Sequence, residues 1–188
     1  MGQGRVGAPL AEALESLGHE VTRWTRQSSP EQLAGQDVIL VAVPFPAVQD
    51  VAGAINTHGG TAVVIDCTNP VGPGFTHGLG SQTSGAEHLQ ALIAQPVVKA
   101  FSIYGYEVLS SDPSEWPAPR VMMIAGDDEH AVRLVDRLVT DLGWECLVVG
   151  GLAASLHLEH LTLLWVRLVR GGGHSPLLAW HAMATSGA

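Results

Sequence analysis

Apolar residues recur at helical spacing from Val6 through Leu10, Ala13 and Leu14 to Leu17, and Gly18 follows as a C-terminal stop. The first element is therefore a helix over residues 6–17. "HEVTRWTR" reads as a short strand, and "SSPEQLAG", with a Ser cap and Pro at the first helical position, reads as a brief helix. "DVILVAVP" is a continuous β-branched run stopped by Pro44, the pattern of a strand buried on both faces. A helix over 47–56 leads to a second such strand, "TAVVIDCTNP", and then to the Gly-rich loop "VGPGFTHGLGSQTS". The pattern continues with a helix over 84–94, the strand "VVKAF", a loop over 104–119 and the strand "VMMIA". "GDDEHAVRLVDRLVTDLG" carries Asp caps, a stripe of Val132, Leu134, Val135, Leu138 and Val139, and a closing Gly143. "WECLVV" is the last strand and "GLAASLHLEHLTLLWVRLVR" the longest helix.

Strands and helices alternate throughout, which predicts an α/β fold: a doubly wound parallel sheet of Rossmann type with a short C-terminal helical appendage. The expected division is a dinucleotide-binding domain over residues 1–150 and a helical segment over 151–188.

Composition narrows the function classes. With 188 residues, 46% of them hydrophobic, the chain has room for one such domain with a full core. A net charge of −9 argues against nucleic acid or an anionic membrane as the main partner. Cys67 and Cys146 form no paired or metal-spaced set, the opening residues lack the pattern of a signal peptide, and Glu159, Arg167 and Arg170 interrupt the apolar C-terminal stretch. The expectation is a soluble cytoplasmic protein.

Chemistry begins at the first residues. "MGQGRVG" is G-x-G-x-x-G, formed by Gly2, Gly4 and Gly7 and running straight into the first helix. In a dinucleotide-binding turn these glycines allow the bend, the approach of the pyrophosphate and close helix packing. The strand that normally delivers the chain to the first glycine does not precede it. Some twenty residues on, an NAD-specific protein places an acid on the ribose, but here stand Trp24, Thr25 and Arg26. A guanidinium beside a hydroxyl suits the 2′-phosphate of NADP(H); the alternative is a solvated charge. Val43, Pro44 and Phe45 end one strand, and Thr68 and Asn69 end the next, where ligands of open α/β sheets lie. Asp66 and Cys67 are candidate base and nucleophile, or a turn former and a core thiol. Lys99, the only lysine, sits in an apolar strand and must reach a cofactor, a substrate or an ion-pair partner. His157 and His160 lie three apart on the last helix, but no third residue has convincing metal-ligand spacing, so no metal is expected.

These residues together resemble the NADPH-dependent reductases of the deazaflavin coenzyme F-420 and the NADP oxidoreductases grouped with them. The carriers are the glycine turn, Thr25-Arg26, "DVILVAVP", "DCTNP", "VVKAF", "MMIAGDD", "DLGWE" and "LEHLTLLW". The resemblance implies that Gly2, Gly4, Arg5, Val6 and Gly7 hold the pyrophosphate, Thr25 and Arg26 the 2′-phosphate, and Val43, Pro44 and Asn69 the nicotinamide side. It also implies a cleft in which the deazaflavin lies against the nicotinamide, and a homodimer. Two departures stand out: Ser102 where the family usually has Asn, and a short loop after the second strand. The family also has an apolar strand before the glycines, so a truncated or misplaced start is the expectation here.

The leading expectation is an oxidoreductase moving hydride between NADP(H) and a flavin-like small-molecule acceptor. No acid/base pair stands out, and ring-to-ring hydride transfer hardly needs one. An NADP-dependent imine or hydroxyacid reductase would need a placed proton donor and, in the related families, a larger helical domain. A non-catalytic NADP-binding module is the third reading.

Overall fold

The computed structural model describes residues 4–183. At its centre is a five-stranded sheet made of β1 (Val38–Val41), β2 (Val63–Asp66), β5 (Val97–Lys99), β6 (Val121–Gly126) and β7 (Glu145–Val148), in the order β1-β2-β5-β6-β7. The helices are α1 (Gly7–Ser16), α2 (Val48–His58), α3 (Gly85–Gln90), α4 (Tyr106–Leu109), α5 (Glu129–Asp141) and α6 (Ser155–Val166). α6 runs on into a π-turn over Arg167–Gly171.

Side chains alternate between two packed layers, as a strand's two-residue period requires. Val63 and Ile65 of β2 join Leu10, Leu14, Ile124 and Val135 on one face, while Val64 meets Ile39, Val41, Val51 and Ile55 on the other. This is the expected α/β arrangement with helices on both faces, and it is mainly parallel. One junction is not: β5 and β6 are antiparallel, with Val98 opposite Gly126. An antiparallel neighbour needs no crossover helix, and residues 100–120 return the chain through only α4 and a short 3₁₀ turn over Pro113–Glu115.

Other local expectations shift in ways that neighbours explain. "HEVTRWTR" forms no regular strand, because no described strand pairs with it. "SSPEQLAG" shortens to a 3₁₀ turn over Pro30–Leu33. The helix expected over 84–94 closes at Gln90, although Ser84 and Glu87 give it a reciprocal capping box. The Gly-rich loop contains a two-stranded antiparallel pair, β3 (Val71–Gly72) and β4 (Thr76–His77). β1 is buried on one face only: Ile39 and Val41 are buried, Val38 and Leu40 half-buried. β2 is buried on both.

The C-terminal stretch folds back on the sheet. α6 buries Leu158, Glu159, Thr162 and Trp165, so although 152–171 is apolar and long enough by composition to span a bilayer, one stripe of it is core. Beyond it the chain returns to β6, where Val121 N–H donates to Trp180 O at 3.0 Å. The Tyr104 hydroxyl donates to Val121 O at 2.6 Å.

Candidate cofactor and active site

α1 begins at Gly7 with Val6 as its cap residue and no side-chain cap; Ala8 N–H donates to Gly4 O at 3.0 Å and Pro9 has no N–H, which leaves Gly7 N–H as the first-turn donor. Such an end, with the helix dipole behind it, is a seat for an anion. Gly4 is exposed, and a Cβ placed there would meet nothing within 4 Å, so the turn is open to an approaching group. Arg5 lies with its guanidinium 5.0 Å from the centre of the Tyr106 ring. Tyr106 opens α4, which follows the carboxyl end of β5, so the glycine turn sits at the carboxyl end of the sheet. Gly2 lies outside the described residues.

Thr25 and Arg26 stand at the end of the extended segment that follows α1. Thr25 is held in a tight turn: its N–H donates to Ser28 Oγ at 3.0 Å, and its own hydroxyl accepts from Gln27 N–H at 3.3 Å. Arg26 is 66% exposed and pairs with Asp50 on α2 at 3.2 Å. An exposed pair of this kind is worth little by itself, so a phosphate can compete for the guanidinium.

The turns after β1 and β2 face each other across a cavity of about 470 Å³ lined by Pro44, Phe45 and Pro46 from one and Asn69 and Pro70 from the other, with Val71 to Pro73 and Gly78 closing the side. Pro44 and Asn69 are thus brought together as expected; Val43 is half-buried and packs toward the core instead of lining the cavity. Asn69 Nδ2 donates to Ser102 O at 2.9 Å, which fixes the carboxamide and leaves Oδ1 buried without a partner. Thr68 Oγ1 and Ser102 Oγ beside it are also buried and unpartnered. Unmet polar atoms are rare in folded chains and each calls for an explanation, whether an ordered water, an ion or a bound group. Among the described residues none lining the cavity is ionisable.

The ionisable groups lie beneath this crevice, locked to one another. Lys99 Nζ donates to Asp66 Oδ2 at 2.9 Å, to Glu159 Oε1 at 2.8 Å and to Thr68 O. Glu159 also accepts from Gly85 N–H and from His77 Nε2 at 2.8 Å. His77 Nδ1 accepts from the backbone N–H groups of Leu79 and Ser81, so the ring proton sits on Nε2. Burial works against the charge on Lys99, but the carboxylates of Asp66 and Glu159 outweigh it and hold its pKa above the ordinary value. Of the two readings for Lys99, the ion pair is the one the structure shows. Asp66 is occupied by it and by Thr68 N–H at 2.9 Å. Burial pushes the Cys67 thiol up to about 12, which disqualifies it as a nucleophile at neutral pH. His160 bonds Ser81 Oγ at 2.9 Å.

Glu159 and His77 are the groups that sequence reasoning missed. A signal existed: a lone buried lysine requires an acid, and Glu159 is the acid that interrupts the apolar stripe of α6. Its role as an interruption was visible; its partner lies 60 residues away.

Residues 6–70 match the NADP oxidoreductase family, coenzyme F420-dependent. Among solved structures, a protein from Arthrobacter sp. FB24, proposed to be an F420-dependent NADP reductase, superposes with a TM-score of 0.82 at 22% identity, covering 92% of each chain. A hypothetical protein from Sinorhizobium meliloti follows at 0.65 and 27% identity, over 81% of this chain and 83% of that one. An imine reductase from Streptomyces aurantiacus gives 0.60 at 18% identity, over 93% of this chain but 67% of its own. No curated protein sequence matches. The chain shares the fold of these solved structures.

Proposed function

We propose that this chain transfers hydride between NADP(H) and a planar ring acceptor, with the deazaflavin coenzyme as the first candidate. One observation carries the reading. Among the described residues, the crevice at the carboxyl ends of β1 and β2 is lined by Pro, Phe, Gly, Val and Asn, none of them ionisable, while the nearby carboxylates and Lys99 are committed to each other. A site that reduces an imine or ketone needs a proton donor at the reacting atom; one that passes hydride between stacked rings needs orientation and exclusion of water. The near-equal lengths of this chain and the Arthrobacter protein support the same reading.

The residues fit an NADP(H) molecule laid along this edge. The α1 terminus around Gly4 to Gly7 would hold the pyrophosphate, and Thr25 with Arg26 the 2′-phosphate. Pro44 would floor the nicotinamide end, and Asn69 Oδ1, a buried acceptor with no donor, suits its carboxamide N–H. The bound cofactor supplies the hydride. The chain's part is to seat the anionic groups at α1, to hold Asn69 rigid through Ser102 O, and to keep the ring face dry with Pro44, Phe45 and Pro70.

The test follows NADPH absorbance with the deazaflavin, FMN, a ferric chelate, a cyclic imine and a hydroxyacid in turn. Reduction of a ring acceptor, lost in Asn69→Leu, is the expected outcome. Turnover on the imine or hydroxyacid alone would overturn the ring assignment, and NADPH binding with no turnover on any acceptor would leave a binding module.

A further inference from the structure

Glu159 is 1% exposed. Among the described residues, the groups that bond its carboxylate are all donors: Lys99 Nζ and His77 Nε2 at 2.8 Å, and Gly85 N–H at 2.9 Å from Oε1 and 3.1 Å from Oε2. Neutralising Lys99 does not account for this carboxylate. Asp66 already pairs with Lys99 at 2.9 Å, and one carboxylate balances one ammonium. His77 adds no charge, because Nδ1 accepts from the Leu79 and Ser81 N–H groups and the single ring proton sits on Nε2. The cluster thus buries one negative charge more than balance requires, and burying an unbalanced charge is unfavourable.

Each of those donors belongs to a wall of the crevice or stands directly behind one. His77 lies opposite Val71 in the β3–β4 pair, and Val71, Gly72 and Gly78 line the cavity. Gly85 backs Phe45: a Cβ there would stand 3.0 Å from the Phe45 ring and 3.2 Å from Glu159 Oε1. Lys99 also donates to Thr68 O, next to Asn69. One turn along α6, the Thr162 hydroxyl donates at 2.9 Å to Ser102 O, the same carbonyl that holds Asn69 Nδ2.

We infer that Glu159 is a positioning residue for the ring acceptor: from α6, its carboxylate fixes the β3–β4 loop, Phe45 and the Asn69 turn around one crevice. The role rests on the crevice being the acceptor site proposed above. It requires a group that only accepts. Both oxygens are in use, so a Gln in this place would turn an N–H toward a donor whichever way its amide lay. Facing His77, the amide would demand a bare Nε2 and move the ring proton to Nδ1. That proton would then meet the Leu79 and Ser81 N–H groups, and the loop could not keep its present bonds.

The experiment compares the native chain with Glu159→Gln by hydrogen exchange, the nitrogen NMR spectrum of the His77 ring, NADPH titration and acceptor kinetics. Exchange at residues 76–83 should quicken about tenfold or more, with β6 and α5 unchanged. The His77 ring should lose its single Nε2–H form. KM for the deazaflavin or FMN, whichever the native chain reduces, should rise about tenfold, with kcat and NADPH affinity within about threefold of native. Unchanged exchange at 76–83, a fall in NADPH affinity as large as the rise in KM, or a loss carried by kcat alone would overturn the role. A native chain that reduces neither acceptor would sink the reading of the crevice instead; exchange and the His77 spectrum would still decide whether Glu159 holds its walls. If Glu159→Gln does not fold, His77→Phe leaves Lys99 paired with both carboxylates. Faster exchange at 76–83, with Phe45 and Asn69 unchanged, then supports the latch, and an unchanged loop refutes it.

Discussion

β1 and β2 are two runs of the same kind, VILV and VVID, placed side by side and in register, yet they end up in different surroundings. β2 has a strand on each side and is buried along its whole length. At its end, Asp66 is pinned through Lys99 to Glu159, and so ties α6 to the sheet. Among the described residues β1 has one strand neighbour; it alternates between buried and half-buried and borders a cavity of about 700 Å³. The composition of a strand therefore sets what it can tolerate, and its neighbours set what it gets. The proposed binding elements divide along the same line. Asn69 follows the fully buried β2, whereas Arg26 and the glycine turn lie on the side of β1.

The largest effect expected from this contrast is at the pin. Lys99→Met leaves two carboxylates buried without their cation and should cost about 3–5 kcal/mol, lowering the melting midpoint by on the order of 10 °C. A calorimetric scan checks it, and a shift as small as that of a surface mutation would mean the network is not dry. Next in size, Ile65→Ala should cost about 2–5 kcal/mol, whereas Leu40→Ala, already half in solvent, should cost less than about 2 kcal/mol. Urea midpoints for the two variants compare the strands directly, and equal losses would erase the distinction.

Third, the pin should give way in alkali. The folded pKa of Lys99 is raised above its unfolded value. Its contribution is then complete below about pH 10.4 and is lost as pH rises through the folded pKa. Stability in urea measured from pH 8 upward should fall in that range for the native chain and stay flatter in Lys99→Met. The smallest effect lies on the side of β1: Arg26→Ala should weaken NADPH binding about tenfold with little change for NADH. Asp50→Asn, by releasing the guanidinium from its 3.2 Å partner, should strengthen it. Calorimetric titration of both cofactors reads the two signs.

Much of the fold was legible because the signals were local. α5 announced itself through Asp128, which caps Ala131 N–H, and through the buried Val135, Leu138 and Val139 stripe. Gly18, at φ 87°, ends α1 where the pattern placed the stop. What the sequence hid was relational. Nothing in "HEVTRWTR" says whether a neighbour is there to pair with it, and nothing in "VVKAF" says that the next strand runs backward. In the candidate site, Pro44 and Asn69 were readable from strand ends. The Lys99–Glu159–His77 association was not, because it joins β5, α6 and β4 across distant stretches of chain.

The burial of Lys99 has a practical side for chemical labelling. It is the chain's sole lysine, and its side chain is 0% exposed. The folded protein consequently offers no side-chain amine to an acylating reagent or a conjugating enzyme. Acylation of Lys99, read as one mass increment on one peptide, becomes a count of how often the interior opens.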